Sequence, residues 1–134
     1  MSASALVRVG TGPSSKAANI ALWLVQIGAA AMFVFAGWLK LAGDPKMVQL
    51  FSVIGAGQWF RYLTGSLEVF GAALLLIPAT AGFGALLLAA VMVGAVLTHL
   101  LILGGSPAPA LVLLVAVVVI AWGRRDRIRA ALGR

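Results

Sequence analysis

The side chains in this sequence that could take part in chemistry are few, and three of them lie in or beside long apolar segments. Lys40 follows an uncharged run over residues 17–39, Glu68 comes just before an uncharged run over residues 69–123, and His99 is the one titratable side chain within that second run. A charged side chain at the centre of a bilayer costs about 2.5 to 3.5 kcal/mol on insertion scales. Because the chain carries this cost, these three residues define the first candidate site.

Two interpretations of this polar cluster fit the sequence. In the structural one, Glu68 forms an ion pair with Lys40 or Arg61, and His99 completes a hydrogen-bond network that fixes the helices. In the functional one, the same side chains line a pocket open to the outer leaflet, where Glu68 and His99 bind a polar head group or transfer protons. Gln26 lies on the helix face that leads to Lys40 and is assigned to the same cluster, as a helix–helix hydrogen bond.

Small residues accompany each ionisable side chain on its predicted helix. They are Gly37 before Lys40, Gly65 before Glu68 and, around His99, Ala95 and the stripe Ala90, Gly94 and Thr98. Small side chains let membrane helices approach closely. We therefore expect each of the three ionisable side chains to lie on or beside a seam between two helices.

The elements that must position these residues are membrane helices. Hydrophobic residues make up 63% of the 134-residue chain, and only 10% of the residues are charged. A soluble domain of this size has too high a surface-to-volume ratio to bury so much apolar surface. One spanning helix needs about 20 apolar residues, so the chain is predicted to be all-α, an integral membrane four-helix bundle. The predicted spans are residues 17–40, 59–77, 80–103 and 108–122.

The two ends of the chain differ from this apolar domain. Residues 1–16 are rich in Ser, Gly and Ala and contain Pro13, which is typical of a disordered tail. Residues 124–134 are rich in Arg and form a basic tail, of which residues 124–133 can continue as a surface helix. The transmembrane domain is therefore expected to cover residues 17–123.

A short interfacial helix is predicted between helices one and two, over residues 45–54. Asp44 at the N-cap and Pro45 at the first helical position favour a helix start, and Gly55 favours its end. Its apolar residues share one face and are Met47, Leu50, Phe51 and Ile54. Because it is too short to cross a bilayer, we expect it to lie in the membrane interface. The alternative is an ordinary connecting loop.

Positive charges predict the orientation of the bundle, since the side richer in Lys and Arg faces the cytoplasm. Arg8, Lys16 and the arginines of residues 124–134 all lie on one side. The positive residues on the other side are Lys40, Lys46 and Arg61. Both termini are therefore predicted to be cytoplasmic. The predicted aromatic belts are Trp38, Trp59, Phe60 and Tyr62 at the outer interface and Trp122 at the inner one.

Composition excludes several kinds of chemistry within this chain. Without Cys there is no dithiol chemistry, no iron–sulfur ligation and no Cys-rich zinc site. A single His cannot supply both axial ligands of a b-type haem. We expect no metal site, no covalent cofactor and no stand-alone enzyme. The net charge of +7 is assigned to topology and lipid headgroups, because no aromatic-plus-basic pattern for nucleic acid is present.

Several short segments carry a resemblance to a known family. They are residues 35–41 (FAGWLKL), 43–45 (GDP), 57–62 (GQWFRY), 65–68 (GSLE), 75–78 (LLIP) and the stretch from Met92 to His99. Their order and spacing resemble those of the DoxX-like membrane proteins, and the resemblance covers roughly residues 20–122. Lys40, Glu68 and His99 stand where the family pattern would place them.

The resemblance implies a four-helix bundle in a bacterial-type cytoplasmic membrane. Some DoxX relatives are associated with quinone-linked sulfur oxidation or membrane redox complexes, and others act as assembly helpers. The chain is therefore expected to be an accessory subunit of a quinone-linked redox system, with a pocket for a lipophilic ligand such as a quinone near the outer face. The alternative is a non-catalytic assembly or structural subunit, bound to a larger membrane complex or to copies of itself. A transporter is less favoured, because four short helices enclose little volume.

Overall fold

All regular elements in the described part of the chain are helices. A computed structural model describes the backbone of residues 3–133 and the side chains of residues 16–133. The helices are α1 (Ala3–Leu41), α2 (Pro45–Ile54), α3 (Gln58–Leu75), α4 (Ala81–Thr98), a π-helix (His99–Leu103) that continues α4, α5 (Ala108–Gly123) and α6 (Arg125–Ala131).

The boundaries follow local signals. Helix α2 begins at Pro45, where the Oδ2 atom of Asp44 accepts a hydrogen bond of 3.2 Å from the backbone N–H of Lys46. It ends at Gly55, whose φ of +83° is the left-handed conformation typical of a helix C-cap. Helix α3 ends at Leu75, three residues before Pro78, which cannot donate a backbone hydrogen bond.

The N-terminal segment differs from the expectation of a disordered tail. The structure places residues 3–16 in α1, in continuity with the apolar part of that helix, and Met1 and Ser2 lie outside the described residues. Nucleation is the costly step of helix formation, so residues that adjoin an existing helix extend it at less cost. Composition describes the segment in isolation and misses this effect.

The four long helices pack in a ring. Helix α1 contacts α3, α3 contacts α4, α4 contacts α5, and α5 returns to α1. Helix α2 packs on α3 and on the π-helix, and α6 packs on α4. The completely buried side chains between them are mostly apolar, with two polar exceptions; the largest are Phe33, Leu75, Leu88, Ile120, Gln26, Glu68 and Val117.

The outer surface of the helices is apolar, as expected for contact with lipid. Leu101 is 78% exposed and Val112 is 68% exposed, and these belong to a long series of exposed large apolar side chains. Among the described residues, Lys16–Leu41 and Ala81–Leu103 are long and apolar enough to cross a membrane. A third span results if α5 and α6, which meet at an angle of 60°, are taken together. The predicted second span, α3, does not reach this threshold because it carries Arg61 and Glu68.

Candidate functional site

Helices α1 and α3 approach each other closely at two glycines. A Cβ atom on Gly37 would lie 2.7 Å from Cγ2 of Val69 and 2.8 Å from the backbone oxygen of Gly65. A Cβ atom on Gly65 would lie 3.0 Å from the backbone oxygen of Gly37. Neither position has room for a side chain, so the glycines allow the contact. The crossing lies one helical turn before Lys40 on α1 and one turn before Glu68 on α3.

An ion pair links α1 and α3 next to this contact. The Nζ atom of Lys40 lies 2.8 Å from Oε1 of Glu68, and the Glu68 side chain is only 2% exposed. Of the two partners that the sequence offers to Glu68, the structure places Lys40 against it. When one member of a buried pair is removed, the other is left as an uncompensated charge, which costs about 3 to 5 kcal/mol.

Arg61 binds the end of α1 rather than Glu68. Its Nη1 donates to the backbone oxygen of Lys40, one of the carbonyls that the end of α1 leaves without a helical partner. Its Nε donates to Oε1 of Gln58 at 2.7 Å, and its guanidinium carbon lies 4.3 Å from the centre of the Tyr62 ring. We call Gly37, Lys40, Arg61, Gly65 and Glu68 together the α1–α3 joint.

His99 lies outside the α1–α3 joint. It is half-buried, and its Nδ1 lies 3.0 Å from the backbone oxygen of Ala95. A carbonyl oxygen only accepts, so this hydrogen bond requires the proton on Nδ1 and leaves Nε2 as the free nitrogen of the neutral ring. Among the described residues, His99 forms no hydrogen bond with Lys40 or Glu68.

A shallow cavity of about 340 Å³, wide open to the surface, lies at His99 between α2 and the π-helix. Its lining residues are Lys46, Gln49, Leu50, Val53, His99, Leu103 and Gly104. We call it the α2–π cavity. It combines an ammonium, an amide and an imidazole with three aliphatic side chains, and neither Lys40 nor Glu68 lines it.

The small-residue stripe expected to place His99 on a helix seam does not do so. Ala90 and Gly94 are exposed, and a Cβ atom on Gly94 would meet nothing within 4 Å. Helix α4 instead buries the face that contains Ala85, Leu88 and Met92. Because α4 is apolar on every side, its sequence does not reveal which face packs against the other helices.

Gln26 is also separate from the predicted cluster. It lies on the same helix as Lys40 but about 21 Å further along the axis, at a rise of 1.5 Å per residue. Its Nε2 donates to the backbone oxygen of Leu75 at 2.8 Å, and its Oε1 accepts from Nε of Arg124 at 2.7 Å. Gln26 therefore forms the expected helix–helix hydrogen bond, but at the opposite end of the bundle.

Gln26 belongs to a polar group that the sequence pattern does not predict. Nη1 of Arg124 donates to Oδ1 of Asn19 at 2.8 Å, and Trp23 lies beside the guanidinium, with its ring centre 5.7 Å from the guanidinium carbon. We call Asn19, Gln26, Arg124 and the Leu75 carbonyl the Arg124 network. One available signal was Gln26 itself, since a buried amide needs partners. Another was the end of α3, which leaves carbonyls without a helical partner.

Comparison with known proteins identifies the family of the chain. A family model described as the DoxX-like family matches residues 15–123, which is most of the chain. No curated protein and no solved structure was found to match. The family match and the apolar helices together indicate a membrane location. On this evidence the chain belongs to the DoxX-like family.

Proposed function

We propose that this DoxX-like protein is an accessory subunit of a quinone-linked redox system in a bacterial-type cytoplasmic membrane, and that the α2–π cavity holds the polar ring of the quinone. The observation that carries the proposal is the composition of this cavity. Its volume of about 340 Å³ falls within the usual range for small-molecule sites, which is about 300 to 1,000 Å³.

The lining of the cavity fits a ring that bears oxygen atoms. The Lys46 ammonium and the Gln49 amide can donate to a quinone carbonyl, and the free Nε2 of His99 can accept from a quinol hydroxyl. Leu50 and Leu103 offer apolar surface to the rest of the ring. The site thus has a partner for both the oxidised and the reduced head group.

The π-helix supports a binding role for this region. It begins at His99, runs to Leu103 and ends before Gly104, and all three residues line the cavity. Such helices are rare and are frequent at functional sites. A wider turn at the end of α4 is a local distortion that proteins keep where it positions a side chain.

The accessory role follows from what the chain lacks. The sequence has no Cys and only one His, so electrons for a quinone would come from a partner protein. The α1–α3 joint is assigned a structural role in this proposal, because Glu68 is buried against Lys40 and Arg61 is used as a cap. The joint holds α1 and α3 together beside the cavity-bearing elements.

The proposal includes four membrane spans, formed by α1, α3, α4 and α5, with α2 in the outer interface and both termini in the cytoplasm. Helix α3 can span because the ion pair neutralises Glu68 and Lys40 within the bundle. Since the chain has no Cys, single-cysteine variants test the topology. An impermeant maleimide added to intact cells should label Ser106→Cys and leave Ala131→Cys unlabelled; the reverse pattern would refute this orientation.

Quinone binding is tested with the purified protein in mild detergent. A short-chain ubiquinone or menaquinone analogue is titrated, and the quenching of tryptophan fluorescence is recorded. His99→Leu should weaken binding about tenfold, the loss expected for one buried hydrogen bond of about 1.4 kcal/mol. Thr98→Val is the matched control, since Thr98 bonds Gly94 on its own helix and does not line the cavity. No binding by the parent, or equal binding by His99→Leu, would rule the proposal out.

A second candidate function is that of a structural subunit, and a specific surface favours it. An open apolar groove of about 520 Å³ runs along α1. It is lined by Ile27, Ala30, Ala31, Val34, Phe35, Trp38 and Leu76. The small residues at its centre suit the close approach of a partner helix. Native mass spectrometry of the gently extracted protein tests this function; a monomer without partners, unchanged by Ala31→Leu, would argue against it.

A further inference from the structure

Arg124 is a positively charged side chain held in place by neutral groups only. The acidic residues of the chain are Asp44, Glu68 and Asp126. Glu68 pairs with Lys40, Asp44 caps α2, and Asp126 lies 3.9 Å from Arg129. None of the three forms a salt bridge with Arg124 in the described part of the chain.

The guanidinium of Arg124 is fixed on two of its three nitrogens. Nε donates to Gln26 and Nη1 donates to Asn19, at 2.7 and 2.8 Å. Nη2 is buried and has no hydrogen-bond partner among the described residues. A buried N–H donor without a partner is destabilising, and a bound water or ion is one way in which such a group is satisfied.

The packing of α5 and α6 holds this guanidinium firmly against α1. A Cβ atom on Gly123 would lie 2.5 Å from Cδ1 of Leu22, so the end of α5 touches α1 directly. Helix α6 then bends by 60° from α5, and Ile128 packs on Gly82, where a Cβ atom would lie 2.7 Å from Cγ1 of Ile128. Arg124 sits at the bend between these two contacts. Its position is therefore defined by packing, unlike that of an arginine in a free tail.

The missing partner has a definite chemistry. A partly buried cation without a countercharge favours an anion, and phosphate is an anion to which guanidinium groups commonly bind. Trp122, two residues earlier, is 68% exposed, as expected for a side chain at the membrane interface. Arg124 follows this interfacial tryptophan and begins the basic segment that we expect near the lipid headgroups.

We propose that the Arg124 network is a binding site for the phosphate of an anionic phospholipid, with Arg124 as the central ligand. Asn19 and Gln26 orient the guanidinium, and its unbalanced positive charge attracts the phosphate. Arg125 and Arg127 in the same segment add positive potential. This site lies at the opposite end of the bundle from the α2–π cavity and binds a different class of molecule. The lipid-site proposal is therefore independent of the quinone proposal.

A pair of variants with equal net charge tests the site. Asn19→Asp places a carboxylate next to Nη1, where it competes with the phosphate for Arg124. Arg129→Gln makes the same change in net charge at an exposed arginine of α6. Purified protein in neutral detergent is titrated with phosphatidylglycerol, and the bound fraction is followed by native mass spectrometry. We expect an apparent Kd about tenfold higher for Asn19→Asp and changed less than about twofold for Arg129→Gln.

A third variant and two further ligands complete the experiment. Arg124→Lys keeps the positive charge but replaces the planar guanidinium with an ammonium. It should therefore also weaken binding about tenfold. Phosphatidylcholine and inorganic phosphate are titrated in parallel and should bind far more weakly than phosphatidylglycerol. Equal losses in Asn19→Asp and Arg129→Gln, unchanged binding in Arg124→Lys, or inorganic phosphate binding as tightly as the lipid would each overturn the assignment.

Discussion

The two polar groups at opposite ends of the bundle solve the problem of a buried charge in different ways. In the α1–α3 joint, Lys40 and Glu68 neutralise each other at 2.8 Å. In the Arg124 network, the cation is surrounded by the amides of Gln26 and Asn19 and has no carboxylate. Both groups link α1 to a distant segment, so both stabilise the packing of the helices.

The two groups differ in whether their charge is balanced by another residue of the protein. A neutral ion pair balances its charge within the protein, and its replacement by two apolar residues of similar volume is often tolerated. A cation among neutral acceptors still has an unbalanced charge, which an anion from outside can balance. Polarity alone therefore does not identify a binding site. The useful sign is a charge that the chain does not balance.

The largest expected effect comes from breaking the ion pair on one side. Lys40→Met should lower the free energy of unfolding by about 3 to 5 kcal/mol, because Glu68 is left buried without its countercharge. Lys46→Met is the matched control, since Lys46 is exposed, and should change stability by less than about 0.5 kcal/mol. Unfolding by SDS in mixed micelles measures both.

The double replacement Lys40→Met with Glu68→Met sharpens this result. If the joint serves structure alone, the double variant should recover most of the stability lost by Lys40→Met, since no charge remains to be compensated. If the double variant is as unstable as the single one, the pair contributes more to stability than charge neutralisation.

An intermediate effect is expected from the glycines. Gly37→Ala should destabilise the protein by about 1 to 3 kcal/mol, because the new Cβ would lie 2.8 Å from the Gly65 backbone oxygen, which cannot move aside easily. Gly94→Ala makes the same change in a helix at an open position. It should be neutral or stabilising by up to about 1 kcal/mol, as helix propensity favours Ala. Equal effects in the same assay would contradict the close approach at Gly37.

The smallest effect belongs to the Arg124 network. Gln26→Leu should cost about 1 to 2 kcal/mol, because the Leu75 carbonyl and the Arg124 Nε both lose a partner. This loss of stability is smaller than that expected for the ion pair. The Leu75 carbonyl and the Arg124 Nε can both form hydrogen bonds with water or lipid near the membrane surface. Phosphatidylglycerol should restore part of it, which a thermal melt with and without the lipid can detect. Asn19→Ala, at an exposed site, should cost less.

Much of the local structure could be predicted from the sequence. Helix α2 runs over residues 45–54 in both the prediction and the structure, because Asp44, Pro45 and Gly55 act within a few residues of the boundary. The family was also recognisable from short ordered segments, and the match over residues 15–123 confirms it. The number of spans stays a prediction for α3, whose Arg61 and Glu68 lower its hydropathy.

The site was harder to predict, because helix rotation is not encoded in an evenly apolar segment. Counting along the chain places Lys40, Glu68 and His99 at the same end of the bundle. However, the helix faces that carry these side chains point towards different neighbours. Glu68 contacts Lys40 of α1, whereas His99 lines a cavity together with residues of α2. A helical-wheel argument requires one polar face, and α4 has none.

By itself, the sequence determined the class of the protein, the positions of most of its helices and the shortage of chemical groups, since hydropathy, Pro and Gly act locally. Only the tertiary structure decided which polar groups meet. It separated His99 and Gln26 from the Lys40–Glu68 pair, and it joined Gln26 to Arg124 across 98 residues of sequence. The physical reason is that a contact between helices depends on how each is rotated and how closely they approach. In this chain those quantities are set by packing at glycines such as Gly37 and Gly123.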